Sequence, residues 1–187
     1  NYEYNYKESE DKKSVTLYPS YAYDKKESAA LQKQVDAVAS PLLQKAREKQ
    51  GDYEKVKFLY DWIIDHTDYV NKEENNQNML SVLLDQEAVC AGYSKSFKYL
   101  LDQLDIPTAV ILLKVLETPN EYHVVNMVQM DKAWYYLDPT FGDIKIEKSY
   151  ANYRYAYFGM TSEEMENIYT PQQEIKKTTA VKDSFFY

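Results

Sequence analysis

The chain has 187 residues with 22 Lys+Arg against 30 Asp+Glu, a formal net charge of −8, one cysteine, two histidines and 20 tyrosines. That length fits one domain with a proper core, and the acidic balance, with no lysine/arginine stripe to neutralise phosphates, argues against nucleic acid as a partner. A single cysteine excludes an internal disulfide and speaks against a cysteine/histidine zinc site, and no apolar run reaches the roughly 20 residues that span a bilayer.

The chain starts at Asn1 with neither a methionine nor an apolar signal segment, and reads as a mature or trimmed chain. Its tyrosine-rich, acidic, glycine-poor composition leans toward an extracellular or cell-surface setting. Residues 1–27 form a polar, tyrosine-rich lead-in. Tyr2, Tyr4 and Tyr6 alternate there, as in an edge strand or a linker. The rest, 28–187, is taken as a single domain.

Ser28 to Lys49 reads as helix, with Leu31, Val35, Val38 and Leu42 on one face. Ser40-Pro41 inside it predicts a kink or two abutting helices. Asp52 is expected to cap a second helix whose core residues are Val56, Leu59, Tyr60, Ile63 and Ile64. His66, at its end, is placed to bind the last carbonyls, a structural role. Asp68 to Lys72 reads as extended, Lys72 to Asn78 as a polar loop, and Asn78 to Leu84 as a short helix.

Cys90 then opens an amphipathic helix with Tyr93, Phe97, Leu100, Leu101 and Leu104 on one face. A thiol in a first helical turn meets unpaired N–H groups and the positive end of the macrodipole, which favour the nucleophilic thiolate. Gly92 permits another backbone or a substrate to come close. The ordinary alternative is a small buried hydrophobe. Ile106-Pro107 is expected to stop the helix. Thr108 to Leu116, His123 to Met130 and Ala133 to Leu137 read as three strands, the first two joined by a turn over 117–121. Tyr150 to Phe158 looks strand-like. Thr161-Ser162-Glu163-Glu164 has capping-box spacing and opens a helix through Ile168. From Thr170 the chain is polar until Phe185-Phe186-Tyr187, for which no element is assigned. Helices first and then closely connected strands make an α+β arrangement with an antiparallel sheet.

If Asp131-Lys132 is a hairpin tip, Met130 faces Ala133 and paired residue numbers sum to 263. Val125 then faces Asp138, and His123 lies diagonal to it on the same face, within reach of a histidine–carboxylate hydrogen bond. A slip of one residue would separate them. Alone, a strand-end histidine is an ordinary surface residue and an aspartate before Pro139 an ordinary turn starter. Together with Cys90 they compose a nucleophile, a base and an orienting carboxylate.

The stretches Ala88-Val89-Cys90-Ala91-Gly92-Tyr93-Ser94, His123-Val124-Val125-Asn126 and Trp134-Tyr135-Tyr136-Leu137-Asp138-Pro139-Thr140-Phe141-Gly142-Asp143 resemble the transglutaminase-like superfamily in order and in their intervals of 33 and 15 residues. The helix from Tyr53 to Ile63 also resembles the one preceding the site in bacterial members, so the likeness runs from about Asp52 to Met165. It implies a papain-like fold, with Cys90 as nucleophile, His123 as base and acid, and Asp138 as orienter. It also nominates Gln77 as an oxyanion donor, ahead of the nearer Gln86. Where members commonly carry an aromatic residue, a tryptophan and a glycine, this chain has Val125, Phe141 and Asp105, and the strand after Asp105 lacks its usual glycine. These departures bear on the substrate channel rather than on the three site residues.

The expected function is cysteine-dependent acyl transfer on a protein amide, most simply a glutamine carboxamide, giving a lysine crosslink or deamidation through a thioester. No cofactor or metal is required. The expected partner is a protein or peptide with an exposed glutamine or other amide, and the oligomeric state is left open. One alternative is a cysteine peptidase or amidase of the same fold. Another is a non-catalytic surface binding or adhesion module, suited by the tyrosine-rich segment 150–157.

Overall fold

A computed structural model of the chain describes residues 4–19, 21–71, 76–118, 120–143 and 148–171. Part of the loop over 72–78, Pro119 and the Phe185-Phe186-Tyr187 end lie outside the described residues. The backbone divides into two compact units that meet between Ala37 and Val38.

In the first unit, β1 (Tyr4–Glu8) and β2 (Val15–Pro19) pair antiparallel, with Tyr6 opposite Leu17. Tyr4 and Tyr6 therefore lie in a strand, Tyr2 falls outside the described residues, and the partner β2 is an element the sequence reading did not assign. α1 (Lys25–Arg47) starts here. Asp24 caps it reciprocally: its Oδ1 accepts the Lys26 and Glu27 N–H groups, and the Glu27 carboxylate accepts the Asp24 N–H. That cap moves the start three residues ahead of the predicted Ser28.

In the second unit, α1 continues through Pro41 as one helix instead of breaking into two. Proline forfeits one backbone donor, but Leu42, Leu43 and Ala46 beyond it are buried and hold the following turns in place. α2 (Gly51–His66) has Gln50, not Asp52, at its N-cap. Gly51 takes the left-handed φ of +73° at the junction, open to glycine. Asp52 and Glu54 fall in the first turn, where carboxylates complement the helix dipole. Val56, Leu59, Tyr60, Ile63 and Ile64 are all buried, as their spacing predicts. His66 closes α2 with Nδ1–H donating to the Trp62 carbonyl at 2.8 Å and its ring stacked on Trp62.

β3 (Asp68–Tyr69) pairs parallel with β4 (Glu87–Ala88), and between them Ser81–Asp85 makes a π-helical turn. α3 (Cys90–Asp102) follows at once. It ends five residues before Pro107, in a turn where Asp105 stands at φ +57°. This is the left-handed position where the family resemblance expects glycine, the residue that adopts it at least cost.

β5 (Thr108–Val115), β6 (Tyr122–Met130), β7 (Ala133–Leu137) and β8 (Tyr169–Pro171) form an antiparallel sheet in the order β7-β6-β5-β8. Met130 faces Ala133 and Asn126 faces Leu137, the register deduced from the hairpin tip. Asp131 and Lys132 both have positive φ, as a two-residue hairpin turn whose twist matches its strands requires. On one face Ala109, Leu113, Val125, Met127 and Tyr136 pack with Met160, Met165 and Tyr169.

After β7 comes the short α4 (Pro139–Gly142), then a 3₁₀ helix over Lys148–Tyr157 where the aromatic run looks strand-like in sequence. Tertiary anchoring overrides tyrosine's preference for strands. The Tyr155 hydroxyl bonds Asp61, the Arg154 guanidinium bonds Asp65, and the Arg154 carbonyl receives the Tyr60 hydroxyl, all from α2. α5 (Ser162–Glu166) carries the predicted capping box between Thr161 and Glu164 but stops short of Ile168. The architecture is α+β, with helices packed on an antiparallel sheet. Among the described residues, no helix is long and apolar enough to cross a membrane.

Candidate active site

Cys90 is the first residue of α3, and its half-buried thiol is free. Val89, in extended conformation at the N-cap, offers its carbonyl to the N–H groups of Gly92 and Tyr93 at 2.8 and 3.1 Å. Its own N–H donates to the Asn76 carbonyl at 3.1 Å. A Cβ at position 92 would stand 2.6 Å from Ser81 Oγ, 2.7 Å from the Asn76 carbonyl and 2.8 Å from Ala88 Cβ. The close approach predicted for Gly92 is thus made by the chain's own 76–81 segment.

His123, the second residue of β6, is 7 % exposed. Its Nε2 lies 2.7 Å from Oδ2 of Asp138, which leaves Nδ1 as the nitrogen free to face Cys90, whose charge acts on the ring. Burial works against a charged imidazole, but hydrogen bonds and charge from Asp138 and Cys90 outweigh it. They push the His123 pKa up to about 10, so the ring is an imidazolium at neutral pH. Phe141 stacks on this ring at 4.5 Å between centroids.

Asp138 is fully buried and caps α4, with Oδ1 accepting the Thr140 and Phe141 N–H groups at 2.9 and 3.0 Å. The Asp-Pro-Thr order therefore does what a capping sequence does: aspartate at the N-cap, proline at the first helical position. Oδ2 is left to His123 and to a second donor, the Tyr169 hydroxyl, at 2.5 Å.

α3 is tied to β6 beside this cluster. Ser94 Oγ donates to the Val124 carbonyl at 3.0 Å, and Asn126 Nδ2 donates to the Ser94 carbonyl at 2.9 Å. Tyr93 donates to Asp143 Oδ2 at 2.5 Å, joining α3 to the residue after α4. Tyr69 is exposed on β3; partial burial and then the charges of Cys90 and Glu121 push its phenol up.

The structure thus gathers Cys90, His123 and Asp138, the three residues nominated from sequence. Gln77 is exposed in the segment beside α3, and its carbonyl accepts Lys95 Nζ at 2.9 Å. Gln86 takes a left-handed conformation, and its carbonyl accepts the Asp68 N–H. Val125, in place of an aromatic residue, is fully buried on the same face of the sheet as His123. Sequence reasoning missed Tyr169: its partner is 31 residues away, and no local pattern marks a tyrosine that leaves an edge strand for a carboxylate.

No curated protein matches the sequence. Among solved structures, the crystal structure of a TGase matches at 21 % identity with a TM-score of 0.53, over 65 % of this chain and 34 % of its own. A proposed cysteine protease from Cytophaga hutchinsonii matches at 14 % identity with a TM-score of 0.50, over 75 % and 62 %. The chain thus spans about a third of the first and under two thirds of the second, and at these identities the likeness is one of fold. The family model described as the transglutaminase-like superfamily matches residues 37–139. That is more than half of the sequence and includes the cysteine helix, the histidine strand and Asp138, so the chain belongs to the transglutaminase-like superfamily.

Proposed function

We propose that the protein is a cysteine-dependent acyltransferase acting on amide groups of proteins or peptides. The observation that carries the reading is one imidazole bonded through Nε2 to a buried carboxylate and placed where the charge of the chain's single cysteine acts on it. The nucleophilic form of the sulfur is the thiolate, and His123 is the proton donor beside it. The sulfur attacks the carboxamide carbon, and the carbonyl electron pair moves onto oxygen. The helix start supplies N–H donors toward that oxyanion, and Gln77, in the segment pinned to α3 by Lys95, is the proposed second donor. His123 gives its proton to the departing nitrogen, ammonia leaves from a glutamine, and a thioester remains. A lysine amine or a water then attacks, losing its proton to His123, and the thiolate leaves.

The same steps on a backbone amide would make the protein a peptidase, and the likeness to a proposed cysteine protease keeps that reading open. Extracellular or cell-surface placement is the setting we propose, on the acidic, tyrosine-rich composition. The test is incubation with a glutamine-bearing protein and a labelled primary amine, with Cys90→Ala as control. Amine incorporation identifies crosslinking chemistry, ammonia release alone deamidation, and new chain termini peptidase activity. Silence in all three, with Cys90 slow toward iodoacetamide at neutral pH, would overturn the catalytic reading in favour of a binding module.

A further inference from the structure

Tyr169 is 1 % exposed, on an edge strand outside the 37–139 span that defines the family match. Its hydroxyl donates to the carboxylate oxygen that also accepts His123 Nε2. Its ring is parallel to the imidazole within 4°, with centroids 5.8 Å apart. The strand is fixed independently of that hydroxyl: Tyr169 pairs with Val115, Thr170 with Lys114, and the Leu116 N–H reaches the Ile168 carbonyl at 2.9 Å.

A carboxylate has about four acceptor sites. In Asp138 two are taken by the backbone N–H groups of α4, one by the imidazole and one by the phenol. We propose that Tyr169 is a positioning residue for His123, acting through Asp138: its hydroxyl fixes Oδ2 and draws off part of its charge, so the carboxylate aims the imidazole without taking its proton. This rests on the acyl-transfer reading for its consequence in turnover, though not for its effect on the ring. Removing the hydroxyl leaves Oδ2 with one donor fewer. The whole charge of that oxygen then bears on Nε2, and the carboxylate loses one of the restraints on its rotation. The imidazolium should hold its proton to higher pH and point less consistently at the sulfur. Tyr169 is buried, so substrate affinity should not change.

The experiment compares the full chain with Tyr169→Phe, which keeps ring and strand, and with Tyr169→Leu, which removes the ring as well. Three quantities are read: the NMR titration midpoint of His123, the pH dependence of Cys90 alkylation by iodoacetamide, and kcat and KM on an amide substrate. For Tyr169→Phe the expected result is an upward-shifted His123 midpoint, the same shift in the alkaline limb of alkylation, and kcat down by about tenfold at unchanged KM, the worth of one charge-assisted hydrogen bond. Tyr169→Leu should lose more kcat, again at unchanged KM. An unmoved midpoint with wild-type alkylation in Tyr169→Phe overturns the proposal, even if the melting temperature falls, since the residue is then merely structural. If the wild type turns over no amide but the midpoint and alkylation shift as stated, the positioning role stands and the acyl-transfer reading falls.

Discussion

Ser94 and Asn126 clamp the cysteine helix to the histidine strand in both directions: the serine hydroxyl donates to the strand at Val124, and the asparagine amide donates back to the helix at Ser94. Both side chains are fully buried. Ser94 is one turn beyond Cys90, and Val124 adjoins His123, so the clamp sets how the sulfur and the imidazole meet. Asn126→Ala removes the side-chain donor that the Ser94 carbonyl receives in addition to its helical one and should cost about 1 kcal/mol, as should Ser94→Ala. Both should also slow Cys90 alkylation under conditions where the variant is fully folded. Urea unfolding and iodoacetamide kinetics read the two effects separately.

The His123–Asp138 pair carries a pH signature. The imidazole titrates near 6.5 unfolded and up to about 10 folded, so the folded state binds the proton more tightly. The resulting stabilisation is complete below pH 6.5 and is lost as the pH rises toward 10. The gap in unfolding free energy between wild type and His123→Gln should therefore narrow steadily across that window. A gap that widens would mean the histidine is buried neutral. In Asp138→Asn the folded titration point should drop, because burial then acts against a weaker opposing charge.

Two glycines separate crowding from backbone strain. Gly92→Ala drives a methyl against a serine oxygen, a backbone carbonyl and the Ala88 methyl, all nearer than 3.0 Å. It should cost about 1–3 kcal/mol and displace the start of α3, with loss of thiol reactivity. Gly159→Ala meets nothing within 4 Å but must hold φ at +71°. It should cost about 1 kcal/mol and leave alkylation unchanged. Equal effects of the two on alkylation would mean that the packing under Gly92 does not locate the sulfur.

Tyr60 holds the turn that follows β7. Its buried hydroxyl lies 2.7 Å from the Arg154 carbonyl and 3.2 Å from the Asp138 carbonyl. Tyr60→Phe removes the only hydrogen and leaves those acceptors short of a donor. A loss of about 1–2 kcal/mol is expected by chemical denaturation, with the His123 midpoint moving little because Asp138 Oδ1 and Oδ2 keep their own partners.

Much of the site was legible because its geometry is set by short-range rules. A two-residue hairpin tip fixes register, and register places His123 diagonal to Asp138 without knowledge of the rest of the fold. The cysteine helix shows in apolar periodicity, and the capping box at Thr161 in four adjacent letters. The failures share a cause in tertiary contact. The 150–158 run looks like a strand until Asp61, Asp65 and Tyr60 hold Tyr155 and Arg154 onto α2. Pro41 looks like a break until burial on its far side holds the helix together. Tyr169 reaches the site from the opposite end of the sheet from β7, a relation that periodicity cannot express.

Asp138 starts a helix of only four residues and, with its other oxygen, faces the imidazole. So short a helix has little to hold it beyond its first-turn bonds, and the site therefore borrows its rigidity from an ordinary folding device. Most replacements at this position would undo the corner after β7 together with the charge. Asparagine, which caps a helix as well as aspartate does, is the exception that keeps the corner and gives up the acid.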